Sequence, residues 1–274
     1  MHELLLYGQL PSPRHDQVLK ILAGHAAMQP RRVLERHIIY KPTREPEEPG
    51  AHLGRGGGSQ TVGGKPAKQG TVKNLFYTKL VQKLDEGDLG RANHTPTDSK
   101  RLSADVKSGE EPKWSFEFQD LPDTGDRGVS ARLTSSTDLV SGDPHAWMVA
   151  TGPHQFVSEY YVEGHRFVHG NVVIFLHRIL HEPGVRSLET TPKVDPPAFD
   201  ALKPFDPSGA YILEAKVRVQ DYNNQAVLED GVNELKRFQK QMKGCVDLDI
   251  PDRLSLDTRV RYRPLHLRAA QRPR

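Results

Sequence analysis

From Glu159 to His181 the chain reads EYYVEGHRFVHGNVVIFLHRILH, two runs of β-branched and aromatic residues on either side of Gly170-Asn171. That dipeptide can supply the positive φ that a two-residue hairpin turn requires, so the stretch predicts a β-hairpin. With Gly170 and Asn171 as the turn the register is fixed. Phe167 faces Ile174, His165 faces Leu176, Glu163 faces Arg178 and Tyr161 faces Leu180. One opposite-charge pair then lies directly across the ladder, a gain of roughly 0.2–1 kcal/mol. The returning strand is apolar on both faces, with Val172, Ile174, Leu176 and Leu180 on one and Val173, Phe175 and Ile179 on the other. A strand with one face in water should alternate instead. Something must therefore cover each side of this hairpin. We expect the second set, Val173, Phe175 and Ile179, to face outward beneath a helix or a partner protein.

Outward from the hairpin, strands dominate. Glu3 to Leu10 reads as a strand closed by Pro11, and Val33 to Lys41 as another ending at Pro42. Asn74 to Leu84 is read as a strand. Trp114, Phe116 and Phe118 alternate with Ser115, Glu117 and Gln119, and Val129 to Leu139 follows as a further strand. Tyr211 to Val219 alternates most cleanly: Tyr211, Leu213, Ala215, Val217 and Val219 point one way, Ile212, Glu214, Lys216 and Arg218 the other. Val246, Leu248 and Ile250 suggest a last strand. Two stretches carry helical spacing instead. One is Arg14 to Met28, ended by Gln29-Pro30, and the other is Gln225 to Lys243, with Leu228, Val232, Leu235, Phe238 and Met242 on one stripe and Gly244 placed to cap it.

The expected fold is mainly β with flanking helices, a closed or nearly closed antiparallel barrel of about eight strands. Closure also removes the exposed edges of such a sheet. We read residues 1–274 as a single barrel domain with disordered insertions at 43–70 and 85–113. A proline-rich loop follows at 182–209 and a flexible Arg-rich tail at 259–274.

Composition limits the function. The 274 residues hold 36% hydrophobic and 27% charged side chains with a net charge of +3, less basic than a dedicated nucleic-acid binder. The single cysteine, Cys245, excludes an internal disulfide framework and a multi-cysteine zinc site. A reducing, intracellular setting fits it. The apolar runs are too short for a membrane span, and the N-terminus has no signal-peptide pattern.

Candidate chemistry is sparse. The glycine-rich run Gly56 to Lys65 fails as a phosphate loop, because Pro66 stands where a magnesium-holding Ser or Thr belongs. A flexible linker is the better reading. The pairs His165/His169 and His177/His181 are spaced i,i+4, which on strands separates them by roughly 13 Å, too far for one ion. Cys245 lies just after a helix and has no nearby histidine, so it reads as a small buried hydrophobe. The charged row Glu214, Lys216, Arg218 is similar to a tunnel wall of the triphosphate tunnel metalloenzymes, but the paired Glu-x-Glu strands of those enzymes are missing. If the apolar side of that strand fills the barrel, the charged row faces solvent. The tail arginines carry one aromatic, Tyr262, and do not by themselves argue for nucleic-acid binding.

The ordered segments taken together resemble the subunit 18 family of the Mediator complex, of a fungal type with long insertions. The resemblance is carried by Glu3 to Gly8, the helix around Val18-Leu19, Met28-Gln-Pro and the strand to Tyr40, Trp114, Gly125-Asp126-Arg127, Phe156 to Leu180, Leu213 to Val219 and Leu228 to Met242. It covers about half the chain. It implies a barrel similar to that of the tunnel triphosphatases without their activity, and a non-enzymatic nuclear subunit of the Mediator head module acting in RNA polymerase II transcription. It also implies a heterodimer with Mediator subunit 20 and anchoring by the C-terminal helix of Mediator subunit 8. No catalytic, metal or cofactor residue is carried over. The alternative reading is a barrel enzyme or nucleotide-binding protein using the Glu214/Lys216/Arg218 face, which an assay for manganese-dependent triphosphate hydrolysis would separate.

Overall fold

The computed structural model describes residues 1–43, 74–85, 89, 113–150, 152, 154–184 and 191–261. The stretches read as insertions at 43–70 and 85–113 fall almost wholly outside the described residues, as does the tail beyond 261. The chain runs β1 (His2–Leu10), α1 (His15–Ala26), β2 (Arg31–Pro42), β3 (Thr78–Lys83), β4 (Trp114–Gln119), β5 (Ser130–Leu139), α2 (Pro144–Ala150), β6 (His154–His169), β7 (Val172–His181), β8 (Lys203–Pro204), β9 (Tyr211–Val219) and α3 (Gln225–Met242).

Every strand pair is antiparallel. The order β6-β2-β3-β4-β5-β1-β9-β7 closes on itself through β6–β7, giving an eight-stranded barrel with the two-residue β8 appended to β7. The β6–β7 hairpin has the expected register, with Phe167 opposite Ile174 and Glu163 opposite Arg178. Gly170 supplies the positive φ, at 59°, and Arg178 reaches Glu163 at 2.9 Å. The predicted strand at Val246–Ile250 does not form. That segment makes a single bridge, Asp249 to Tyr7, and buries Val246 and Leu248 while Ile250 stays half exposed. β1 pairs with β5 only from His2 to Leu5, so the bridge covers the edge of β1 where β5 has ended.

The helices cover the outside of the barrel. Side chains of α1 (Val18, Leu22) and α3 (Leu228, Leu235, Phe238, Met242) share one buried cluster with Leu4, Leu6, Ile174, Leu176, Leu213, Ala215 and Val217. Each such side chain contributes roughly 1.5–3 kcal/mol through burial. α3 begins where the predicted pattern starts, because the Asn224 side chain accepts hydrogen bonds from the Ala226 and Val227 amides at 3.1 and 3.5 Å. On another side Met148 of α2 joins Ile38, Tyr40, Leu80, Trp114 and Phe156. The proline-rich connection also contributes: Leu202 and Phe199 pack on Leu34, Tyr161 and Leu180.

One helix end carries a cost. α1 stops at Ala27, whose φ of 50° and ψ of 37° are left-handed, and its amide bonds back to Ala23 and Gly24. A β-carbon is disfavoured there, so Ala27→Gly is expected to stabilise the protein by about 0.5–1 kcal/mol in urea unfolding.

Candidate functional site

Facing residues of paired strands share a side of the sheet, so the register separates the inner wall from the outer wall. The helix-packed set (Leu4, Leu6, Ile174, Leu176, Leu213, Ala215) is the outer one. The other wall points into the barrel, and it is charged. Lys216 and Glu214 of β9 lie there, opposite Val173 and Phe175 of β7. Glu3, Arg132, Glu35, His37, Lys79 and Glu117 belong to the same wall, placed there by their cross-strand partners. Glu214 and Lys216 were expected to face solvent. They turn inward because the apolar side of β9 is the side that α3 needs, and only Arg218, near the end of the strand, remains exposed.

The expectation for Val173, Phe175 and Ile179 is corrected for the same reason. All three lie on the inner wall: Phe175 is opposite Arg166 and Glu214, Val173 opposite Lys216, and Ile179 opposite Val162. Phe175 stacks on His177 at 4.4 Å between ring centroids, and the Arg166 guanidinium carbon lies 5.1 Å from the Phe175 ring centroid. The hairpin is covered on both faces, as its two apolar sides require, but the chain supplies both covers. Gly164 makes room for this packing. A β-carbon there would stand 2.4 Å from the Leu176 carbonyl oxygen and 2.6 Å from the His177 β-carbon.

Inside the barrel each of the four glutamates has a cation partner. Glu3 meets Arg132 at 2.6 Å, Glu214 meets Lys216 at 2.7 Å, Glu117 meets Lys79 at 3.0 Å and Glu35 meets Arg166 at 3.3 Å. The Tyr7 hydroxyl donates to Glu214 at 3.1 Å, and His37 Nε2 donates to Glu35 at 3.1 Å. Burial alone would raise the Glu35 carboxyl. The His37 hydrogen bond and the charges of Arg166 and Lys79 outweigh it and hold the group at about 2. Burial opposes the ionised form of Glu214 as well, yet Lys216 and Arg132 keep its pKa low. Burial pushes the His37 and His177 imidazoles down, so they sit in the wall uncharged at neutral pH. Carboxylates tied to cations in this way are poor metal ligands. Among the described residues no group of three His, Cys, Asp or Glu side chains converges on a point where an ion would fit. His165 and His177 fall on opposite walls, and burial raises the pKa of the Cys245 thiol, away from the reactive thiolate.

At the end where β1 and β7 finish and β9 begins, a cavity of about 470 Å³ is lined by Tyr7, Ile179, Pro204, Phe205, Tyr211 and Ile212, among others. Phe205 is 68% exposed there and Ile250, beside Pro251 in the chain, is 48% exposed. Of the three residues expected to meet a partner, Ile179 alone reaches this opening. Phe205 lay inside the proline-rich loop, where no periodicity marks it.

The family model described as "Med18 protein" matches residues 2–259. Over 95% of the chain, and all of the relative, it is 37% identical to "Mediator of RNA polymerase II transcription subunit 18" of Aspergillus oryzae. The chain belongs to the Mediator subunit 18 family. The like-named protein of Neosartorya fischeri is 39% identical over 275 residues, and that of Yarrowia lipolytica 24% over 261. A chain in the solved Schizosaccharomyces pombe Mediator head module has the same fold, with a TM-score of 0.60 at 17% identity over 92% of this chain and 99% of that one. Family membership thus agrees with the resemblance carried by the central hairpin. It attaches to a barrel whose inner wall is ion-paired and whose outer wall is packed by its own helices.

Proposed function

We propose that this chain is a non-catalytic scaffold subunit of the Mediator head module, working in the nucleus through protein interfaces. The observation that carries the reading is the agreement along the whole chain with relatives named as subunit 18 of Mediator of RNA polymerase II transcription. The ion-paired interior supports the non-catalytic part, since each buried carboxylate is already engaged by a cation. Its partners are Mediator subunit 20, in a heterodimer, and the C-terminal helix of Mediator subunit 8. Acting on the polymerase machinery is then indirect, through the assembled head.

The apolar opening around Phe205 is the docking place for one of the two. Exposed aromatic and proline side chains around a concavity are suited to receive apolar anchors from a partner. Phe205→Glu sits on the surface, so it should leave the melting temperature unchanged while weakening one partner at least tenfold in a calorimetric titration. Unchanged affinity for both partners would remove this opening from the account.

A further inference from the structure

Two pairs of histidines meet across the seam between α1 and β6. His15 and His165 stand 5.7 Å apart between ring centroids, and His25 and His169 stand 4.3 Å apart. His165 lies on the outer wall, opposite Leu176 of β7, which belongs to the cluster that α1 covers. Two nitrogens of the first pair, His15 Nε2 and His165 Nδ1, are buried without a hydrogen-bond partner among the described residues. The ring of His15 is fixed from two directions. It stacks on Tyr211 at 4.2 Å, and its Nδ1 donates to the Asp16 carboxylate at 2.9 Å. In the uncharged ring that bond leaves the lone pair on Nε2 free. A carboxylate behind the far nitrogen is also how metal-binding histidines are commonly oriented. Burial, with the neighbouring His15, lowers the pKa of His165, which keeps its ring uncharged at neutral pH as well.

The spacing fits a shared ion. An ion roughly 2.0–2.1 Å from each ring nitrogen stands about 3.2 Å from each ring centre, so two rings sharing it at a near-tetrahedral angle have centres about 5–6 Å apart. We propose that His15 and His165 form a binding site for a divalent transition-metal ion of the zinc type, held between His15 Nε2 and His165 Nδ1 with water completing its shell. Imidazole nitrogens suit zinc, copper or nickel, whereas calcium and magnesium take oxygen ligands. The carboxylates beside the pair are engaged, Asp16 by His15 and Glu163 by Arg178 at 2.9 Å. The site therefore has two protein ligands and is weaker than a four-ligand structural zinc site. His25 and His169 do not repeat it. Their rings are too close for that angle, and His25 Nε2 is already paired with Gln241 at 3.2 Å. An ion between His15 and His165 ties the start of α1 to the barrel wall, so its binding stabilises the fold.

The full chain, stripped with a chelator and then freed of it, is titrated calorimetrically with zinc chloride at neutral pH. One saturable micromolar site is expected, and zinc at ten times its dissociation constant should raise the melting temperature by about 3 °C. His15→Gln and His165→Gln should each weaken binding at least tenfold and remove that rise. Asp16→Ala should weaken it at least threefold, because the ring loses its orienting partner. The chain has 13 histidines, so zinc on other imidazoles must be told apart from this site. His25→Gln is the control and should change binding less than twofold. Absence of saturable binding overturns the site and leaves the two nitrogens to a bridging water. Binding that survives in both histidine variants overturns it too, as does equal weakening by His25→Gln. Melts without zinc confirm that the variants fold, and His15→Gln carries the test if His165→Gln does not.

Discussion

Arg132→Met is expected to destabilise the protein by about 3–5 kcal/mol, the cost of stranding one charge of a buried pair. Arg132 is 4% exposed and Glu3 2%, and both Nε and Nη2 of the guanidinium lie 2.6 Å from the same Glu3 oxygen. Arg218, the other cross-strand neighbour of Glu3, is exposed to solvent. Removing the cation therefore leaves a carboxylate that must stay ionised inside the barrel or take up a proton. Glu3→Gln combined with Arg132→Met removes both charges and should recover most of the loss. Urea unfolding of the two variants decides it. A cost below about 1 kcal/mol for the single variant would mean that Glu3 has access to water, and the closed interior would be wrong.

Acid should unfold the protein earlier than a comparable barrel with an apolar interior. Glu35 titrates at about 2 in the folded chain against 4.5 for an unperturbed glutamate. Its contribution is therefore complete above pH 4.5 and is lost as the pH falls toward 2, because the unfolded chain binds the proton first. At about 1.4 kcal/mol per pH unit the gap is worth about 3 kcal/mol. Glu214 and Glu117 are shifted in the same direction by Lys216 and Lys79, against the cost of their burial. The histidines add to this from higher pH. Burial lowers the pKa of His37 and His177 in the folded state, so below 6.5 the unfolded chain takes up protons that the barrel refuses. Stability should be flat above about pH 7, decline from 6.5 and fall steeply below 4.5. Urea midpoints measured from pH 8 to 3 give the profile, and Glu35→Gln should flatten its acid limb. A profile level from pH 7 down to 4 would contradict the buried, uncharged histidines.

The register of the central hairpin was legible in the sequence because Gly170-Asn171 fixes it, and side-chain alternation located most of the other strands. The direction of the walls was not. Apolar runs on β7 and β9 suggest an interior, yet α1 and α3 carry apolar stripes of their own that can be buried only on the outside of the barrel. The more apolar wall must therefore face them, and Glu214 and Lys216 are left to face one another's neighbours within. The signal was present in outline. Charged residues recur at alternate positions of several strands (Glu35 and His37, Glu214 and Lys216), with Lys79 and Glu117 in cross-strand register. Pairing those rows required knowing which strands were adjacent, which only the closed order β3-β4 and β5-β1-β9 supplies. The cavity mouth escaped for a different reason. Phe205 lies in a connection, where no periodicity distinguishes a lining residue from a solvated one.

The central claim is a closed, ion-paired barrel that serves as a building block of Mediator. Its most direct test is recovery of the tagged, full-length chain from nuclear extract, followed by mass spectrometry of what accompanies it. The account predicts Mediator head subunits in near-equal amounts, with subunits 20 and 8 among them and retained through a high-salt wash. Recovery of the chain alone, or with proteins outside Mediator, would contradict it.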